Sequence, residues 1–372
     1  MNREYGFLAV GNFDSSTGYA WKLMEKLWLE AASTLREYGY RPIVVYPSVS
    51  DEPKILSEAG FQIDALDFKV RSWSGLFKQC LYIRRNDVRC IYFTDFATAS
   101  WRYAIFKGFG VKKIIIHDHM PGIRTRPGFL KRLFKRLYNR APFFAADQCF
   151  AVSPYIARRL EEVNCFPRER VVCITNGIHP PQSVKTEYES AETTKIVSIG
   201  RANYYKGIDF ALSVLSRLVQ RGDKTIRYTL YGDGPDLEAF KALARKLGVD
   251  EFVDFPGATN DIGERLPHYD IAFHPSRGEA MSLALLEYMG TGLPVLTSDN
   301  SSVSSFLTDG KDAVIYRSED VEDCAEKLGA LISSVERRKE IGWNARLSVL
   351  NNYTEEKMLR EFREAMVKAN VN

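Results

Sequence analysis

Two glutamates, Glu279 and Glu287, stand eight positions apart in the run Gly278-Glu-Ala-Met-Ser-Leu-Ala-Leu-Leu-Glu-Tyr-Met-Gly-Thr-Gly-Leu-Pro-Val-Leu296. The run reads as a loop, a helix and a buried strand, with Glu279 just ahead of the helix and Glu287 more than one turn into it. Between them lie the backbone amides of Ser282, Leu283 and Ala284 at the helix start, where amides bind phosphate. Carboxylates accept hydrogen bonds from sugar hydroxyls. A ligand with hydroxyls at both ends and phosphates in the middle, the shape of a nucleotide-sugar, therefore suits the run. The spacing alone would equally describe two solvated helix charges. What separates the readings lies upstream, where Val197-Ser-Ile-Gly-Arg201 ends a strand and Lys206-Gly207 opens a helix with apolar positions at Ile208, Ala211, Leu212, Leu215, Leu218 and Val219. Arg201 and Lys206 then bracket a strand-to-helix loop. In a parallel sheet such loops lie at the carboxyl edge, so two cations would face a diphosphate and bind it without metal.

Further segments complete a pattern: Ile226-Arg-Tyr-Thr-Leu-Tyr-Gly-Asp-Gly-Pro235, Phe252-Val-Asp-Phe-Pro-Gly257 and Tyr269-Asp-Ile-Ala-Phe-His-Pro-Ser276. With the glutamate run they resemble the carboxy-terminal domain of the retaining family-4 (group 1) glycosyltransferases. The resemblance continues through Val152-Ser-Pro154, Ile174-Thr-Asn-Gly-Ile178 and Ile114-Ile-Ile-His-Asp-His119, so it covers nearly the whole chain. It implies an α/β architecture of the GT-B kind, two doubly wound Rossmann-like domains facing a cleft, and transfer of a sugar from a nucleotide-diphosphate sugar to an acceptor hydroxyl. It also implies roles. Glu279 would bind donor-sugar hydroxyls near the anomeric centre, Glu287 the ribose hydroxyls, and the strand-end His117 would contact the transferred sugar. Gly18 and Ala258 would join Arg201, Lys206, Ser282, Leu283, Ala284 and Glu287 as donor contacts. The chain departs from the commoner family form in several places: Thr17-Gly18 stands for paired glycines, Ala280 and Ser282 for glycines, Met281 for an aromatic, and His179 for an Asp.

The elements that must position these residues are legible as apolar runs alternating with amphipathic stretches. Phe7–Gly11, Pro42–Tyr46, Cys90–Thr94, Lys113–His117, Gln148–Val152 and Val171–Thr175 form one βαβ series, and Ile196–Ile199, Tyr228–Tyr231, Phe252–Phe255, Ile271–His274, Pro294–Thr297 and Ala313–Tyr316 a second. A polar, proline-bearing stretch over 179–194 reads as the linker between a domain at 1–178 and one at 195–353. The segment 354–372 carries a helical apolar face at Met358, Leu359, Phe362 and Met366. By resemblance, that helix crosses back to the first domain.

His117-Asp118-His119 also reads as a metal set, though no third cluster matches it, and as a hydrogen-bonded structural histidine. No metal or other cofactor is expected, since no Asp-x-Asp falls in a plausible donor loop. The chain's 372 residues are 45% hydrophobic, and no apolar stretch approaches the roughly 20 residues that cross a bilayer. Six cysteines form no CxxC pair. These features point to a cytoplasmic protein. The net charge of +4 hides an asymmetry, for residues 1–178 hold 27 Lys and Arg against 17 Asp and Glu. Residues 119–146 have seven cations and no acid, with Leu130, Leu133, Phe134, Leu137 and Tyr138 forming a stripe beside Lys131, Arg132, Lys135 and Arg136. Such a helix suits an anionic membrane surface at its inner face, or an anionic acceptor. The competing expectation is a stripe turned to the core with a solvated basic face. Expected partners are thus a nucleotide-diphosphate sugar, a glycan or lipid-linked acceptor and an anionic membrane, with no role for nucleic acid. An epimerase or sugar phosphorylase on the same fold, and a non-catalytic nucleotide-sugar binder, are the alternatives.

Overall fold

The structure, a computed structural model, describes residues 4–189 and 192–371; the side chains of 18–20, 370 and 371 lie outside the description. Within those bounds the chain divides into two compact units. Residues up to 120, 124–175 and those from 358 onward make one, and residues 121–123 and 176–357 the other.

The first unit is built on a sheet of β1 (Tyr5–Val10), β2 (Tyr40–Tyr46), β3 (Gln62–Ala65), β4 (Val88–Thr94), β5 (Lys113–Asp118), β6 (Gln148–Ala151) and β7 (Val171–Cys173), in the order β3-β2-β1-β4-β5-β6-β7. Every pairing is parallel. Strands buried on both faces read as unbroken apolar runs, which is why Phe7-Leu-Ala-Val10 and Ile114-Ile-Ile116 were visible in the sequence. β3 was not, because Gln62-Ile-Asp-Ala65 is an edge strand with no buried residue. Its core gathers Phe7, Trp21, Trp28, Tyr46 and Tyr92 with Met358, Phe362 and Met366 of the terminal helix Glu355–Val371.

The second unit repeats the plan with β8 (Thr194–Ile199), β9 (Ile226–Tyr231), β10 (Val253–Gly257), β11 (Ile271–His274), β12 (Val295–Ser298) and β13 (Val314–Tyr316), ordered β10-β9-β8-β11-β12-β13. Here too the pairings are parallel. In each sheet the strand order reverses once, between β1 and β4 in one and between β8 and β11 in the other. Chains leaving two such neighbours turn away to opposite faces and open a crevice at the carboxyl edge, where ligands of doubly wound sheets bind. Among the described residues no helix is long and apolar enough to cross a membrane.

Candidate functional site

At the switch point of the second unit, β8 runs out through Arg201 into a short 3-10 turn, Tyr204–Lys206. Asn203 opens the turn, its Oδ1 accepting the Lys206 N–H at 3.2 Å. The α-helix begins only at Ile208, so Lys206 sits in the turn before it and not at the helix start that the sequence predicts. Gly207 makes the approach possible. Its φ of 70° lies in the left-handed region, and a Cβ there would stand 2.0 Å from the Pro275 carbonyl oxygen. With the two loops this close, Lys206 Nζ reaches Glu279 Oε1 at 2.6 Å.

Glu279 follows β11. His274, the last residue of that strand, is buried and brings Nε2 to 3.5 Å from the same oxygen, too long for a good hydrogen bond but near enough to feel the charge. Burial pushes the Glu279 carboxyl up, while the His274 ring and the Lys206 ammonium outweigh it and hold the carboxyl at about 2. Burial lowers His274 from its ordinary value, so it is neutral at pH 7. The Ser302 hydroxyl accepts the Glu279 N–H at 3.2 Å. Arg277 braces the facing turn: its guanidinium donates to Asp209 at 2.7 and 2.9 Å and to the Tyr204 carbonyl at 2.6 Å, and stacks 4.0 Å from the Tyr204 ring centre.

Three residues on, Ser282 caps the helix Leu283–Thr291, its hydroxyl accepting the Leu285 N–H at 3.3 Å. The amides of Leu283 and Ala284 have no partner within the helix, as the first turn requires. Glu287 lies one turn on, half-buried, its carboxyl raised by burial. Arg201 is exposed, and among the described residues its guanidinium meets no acid. Ala258 is exposed just beyond β10. One edge therefore carries a free cation, an ion pair, a second carboxylate and open helix amides. That set can hold a polyanion flanked by hydroxyls. The sequence reading missed His274 and Arg277, although the quoted run Tyr269–Ser276 contains the first; the signal was a histidine ending a buried strand.

Beside the switch point of the first unit, at the end of β5, the chemistry is different. His117 is 1% exposed, ringed by Tyr92, Phe150 and Phe362, with Nδ1 hydrogen-bonded to the Tyr92 hydroxyl and Nε2 buried without a partner among the described residues. Burial lowers it well below the ordinary histidine value. His119 is likewise lowered by burial, to about 4, and its backbone N–H donates to Asp95 Oδ1 at 2.6 Å. Asp118, on the opposite face of the strand, is committed elsewhere: Arg159 Nη2 donates to both its oxygens, at 2.8 and 2.9 Å, with both side chains buried. The three residues are therefore not one ligand set, which removes the metal reading of that triplet. Gly18 begins the helix Gly18–Arg36 after β1.

The basic helix spans Phe129–Arg140. Its apolar stripe is turned outward, with Leu130 79%, Phe134 67% and Leu137 64% exposed, against the expectation of a core-facing stripe. The helix is held instead through Asn139, whose amide donates to Asn164 O at 2.9 Å, and Lys135, which donates to Val163 O at 2.8 Å. Lys131 and Arg136 are exposed and Arg132 is half-buried.

Two parallel doubly wound units, each with a strand-order reversal, define the class of twin-domain Rossmann-like proteins. Residues 183–348 match the model of glycosyl transferases group 1, and residues 24–181 that of glycosyltransferase family 4. The chain belongs to the group 1 glycosyltransferase family, and its fold is GT-B. It is 24% identical over 208 residues to the poly(ribitol-phosphate) alpha-N-acetylglucosaminyltransferase of Staphylococcus aureus, covering 55% of this chain and 41% of that one. The chain spans about half the length of the curated relatives it matches. Among solved structures, a glycosyltransferase from Rickettsia africae superposes with a TM-score of 0.79 at 18% identity over 100% of both chains. Anabaena Alr3699/HepE in complex with UDP superposes at 0.74, with 15% identity, over 98% of this chain and 100% of that one. At such identities these two likenesses speak for the fold.

Proposed function

We propose that this protein is a retaining glycosyltransferase that moves a sugar from a nucleotide-diphosphate sugar to an acceptor hydroxyl in the building of a cell-surface polysaccharide, lipopolysaccharide or glycolipid. The observation that carries the reading is the switch point of the second unit, where Arg201, the Lys206–Glu279 pair and the open amides before Ala284 share one edge. Arg201, Lys206 and those amides stabilise the negative charge that builds on the departing diphosphate, a role fixed cations and dipoles fill without metal. Glu279, already ionised and held by Lys206, accepts from donor-sugar hydroxyls, and Glu287 accepts from the ribose. Gly18 and Ala258 are further donor contacts. His117, with an unsatisfied Nε2, is the first unit's contact to the transferred sugar. A relative that acts on poly(ribitol-phosphate) and a like-folded protein that binds UDP support the donor and acceptor classes.

The outward stripe and cations of Phe129–Arg140 support peripheral attachment to an anionic membrane at its cytoplasmic face, through Lys131, Arg132, Lys135 and Arg136. A thermal-shift series with UDP-, GDP- and ADP-sugars tests the core of the proposal. One donor should stabilise the chain by RT ln(1 + [L]/Kd), about 2.7 kcal/mol at a hundredfold excess over Kd. No shift with any nucleotide-sugar would overturn it.

A further inference from the structure

The first unit holds a cavity of about 590 Å³ to which none of the residues discussed above as donor contacts contributes. It opens at the carboxyl edge of the sheet, between the segment that follows β3 and the loop that leads from β4 into the helix Trp101–Gly108. One wall comes from Tyr138 of the basic helix.

Its chemistry is of two kinds. Aromatic faces line it at Phe96, Trp101 and Tyr138, and Trp101 is 47% exposed with the still more exposed Trp73 beside it, ring centres 5.7 Å apart. Large aromatic faces left open around a cavity suit the C–H faces of a sugar ring, which need an apolar partner while their hydroxyls stay wet. Cations line it as well. Arg71 is exposed and has no acidic partner among the described residues. Lys69 donates to the Asn12 carbonyl at 2.7 Å, and Arg102 donates to the Phe68 carbonyl at 3.0 Å and to Gln79, its Nε buried without a partner. Neutral oxygens orient these two cations and leave their charge uncancelled. Against the three stands one carboxylate, Asp95, held by the His119 N–H at 2.6 Å and Asn12 Nδ2 at 3.3 Å, with its backbone in the left-handed region at φ 61°. Non-glycine residues take that conformation at a cost, and such strain gathers at ligand sites.

We propose that this cavity is the acceptor subsite and that it takes a sugar residue bearing an anionic substituent, a phosphate or a carboxylate, with Arg71, Lys69 and Arg102 receiving the anion, the aromatic faces the ring, and Asp95 a hydroxyl. The assignment to an acceptor rests on the transferase reading; the ligand chemistry rests on the cavity alone. Uncancelled cations with orienting neighbours are worth more to an anion than to a neutral sugar, because each bond they make is charge-assisted. The position of Tyr138 places the subsite against the helix proposed to meet the membrane, as an acceptor carried on a lipid would require.

Isothermal titration of the full chain, without donor, against glucose 6-phosphate, glucuronate, glucose and inorganic phosphate tests this. At least one of the two anionic sugars should bind about tenfold tighter than both glucose and inorganic phosphate, and the better of the two identifies the anion. The exposed pair Lys69→Gln/Arg71→Gln should lower that affinity by about tenfold while UDP still raises the thermal midpoint as in the wild type. Glucose or inorganic phosphate binding as tightly as both anionic sugars would overturn the proposal. So would the absence of binding by either anionic sugar, or a double variant that binds like the wild type. The two readings fail separately: a chain that no nucleotide-sugar stabilises but that binds an anionic sugar loses the transferase assignment and keeps the site, and the reverse result loses only the site.

Discussion

The two units share a topology and differ in what they place at its one reactive position. Beyond β8 and β11 the second unit sets an ion pair, Lys206 with Glu279, whose carboxyl is held down at about 2. At the corresponding edge of the first, β4 and β5 end in Asp95, His117 and His119, where burial raises the acid to about 6 and lowers both histidines. One edge pairs its carboxylate with a cation, and the other sets neutral imidazoles beside an acid that burial moves toward neutrality. The difference teaches that the doubly wound sheet supplies a place and not a chemistry. In the proposed reaction, charge on the second edge would meet charge in a leaving diphosphate, whereas neutral imidazoles and a buried acid would offer hydrogen bonds to hydroxyls.

The largest expected effect breaks the charged edge. Arg201→Ala/Lys206→Ala should lower turnover by a factor on the order of ten thousand, since each charge on a leaving group is worth on the order of a hundredfold. Lys206→Ala alone also strips Glu279 of its partner, so its carboxyl should titrate above the present value of about 2, a change that infrared or NMR titration reads directly. Near-normal turnover in the double variant would mean that the second unit does not hold the diphosphate.

A smaller effect sharpens the comparison at the surface. Each cation near an anionic leaflet contributes about 1 kcal/mol, so Lys131, Arg132, Lys135 and Arg136 changed together to Gln should weaken the binding constant for anionic vesicles, read by sedimentation, by up to roughly a thousandfold. Arg245→Gln/Lys246→Gln, two exposed cations of the second unit, should leave it unchanged. Added salt should release the wild type. Equal sedimentation of all three proteins would reduce the basic helix to a solvated face.

The smallest effect concerns protons. His119 binds a proton below about 4 in the folded chain and near 6.5 when unfolded, so its share of stability is complete above pH 6.5 and is lost as pH falls toward 4. Asp95 acts in the opposite sense between 3.8 and about 6, because the folded chain holds its proton more tightly there. In His119→Gln only the second contribution survives of these two. The two nearly cancel in the wild type, so urea unfolding across pH 4 to 6 should show, for the variant, stability falling with pH by about 1 kcal/mol per pH unit relative to the wild type. An unchanged slope would mean that the ring of His119 is freely solvated.

How much of this was legible in the sequence depended on whether a property is local. Strands buried on both faces announced themselves as apolar runs, and Glu279, Glu287 and the Ser282 cap lay in one contiguous segment. The edge strand Gln62–Ala65 did not, because four residues with a single partly buried apolar side chain packed on the core, Ile63, make no pattern. Periodicity found the stripe of Phe129–Arg140 but not its direction, which is set by anchors at Val163 and Asn164 far along the chain. The pairing of Lys206 with Glu279 depends on two loops that only the β8–β11 pairing brings together. The cavity draws on residues near 69, 95, 101 and 138, so no window of sequence contains it.

The terminal helix Glu355–Val371 buries Phe362 and Met366 among Phe7, Trp21 and Tyr92, and Phe362 stacks against His117. A chain made from its amino end therefore completes its two halves out of order. All residues of the second unit have been made by residue 357, while the first has an open seam beside His117 until the helix Glu355–Val371 follows. His117 thus acquires its final surroundings only after every residue of the second unit has been made, and during translation the protein carries a second unit whose chain is whole beside a first one that still lacks a helix.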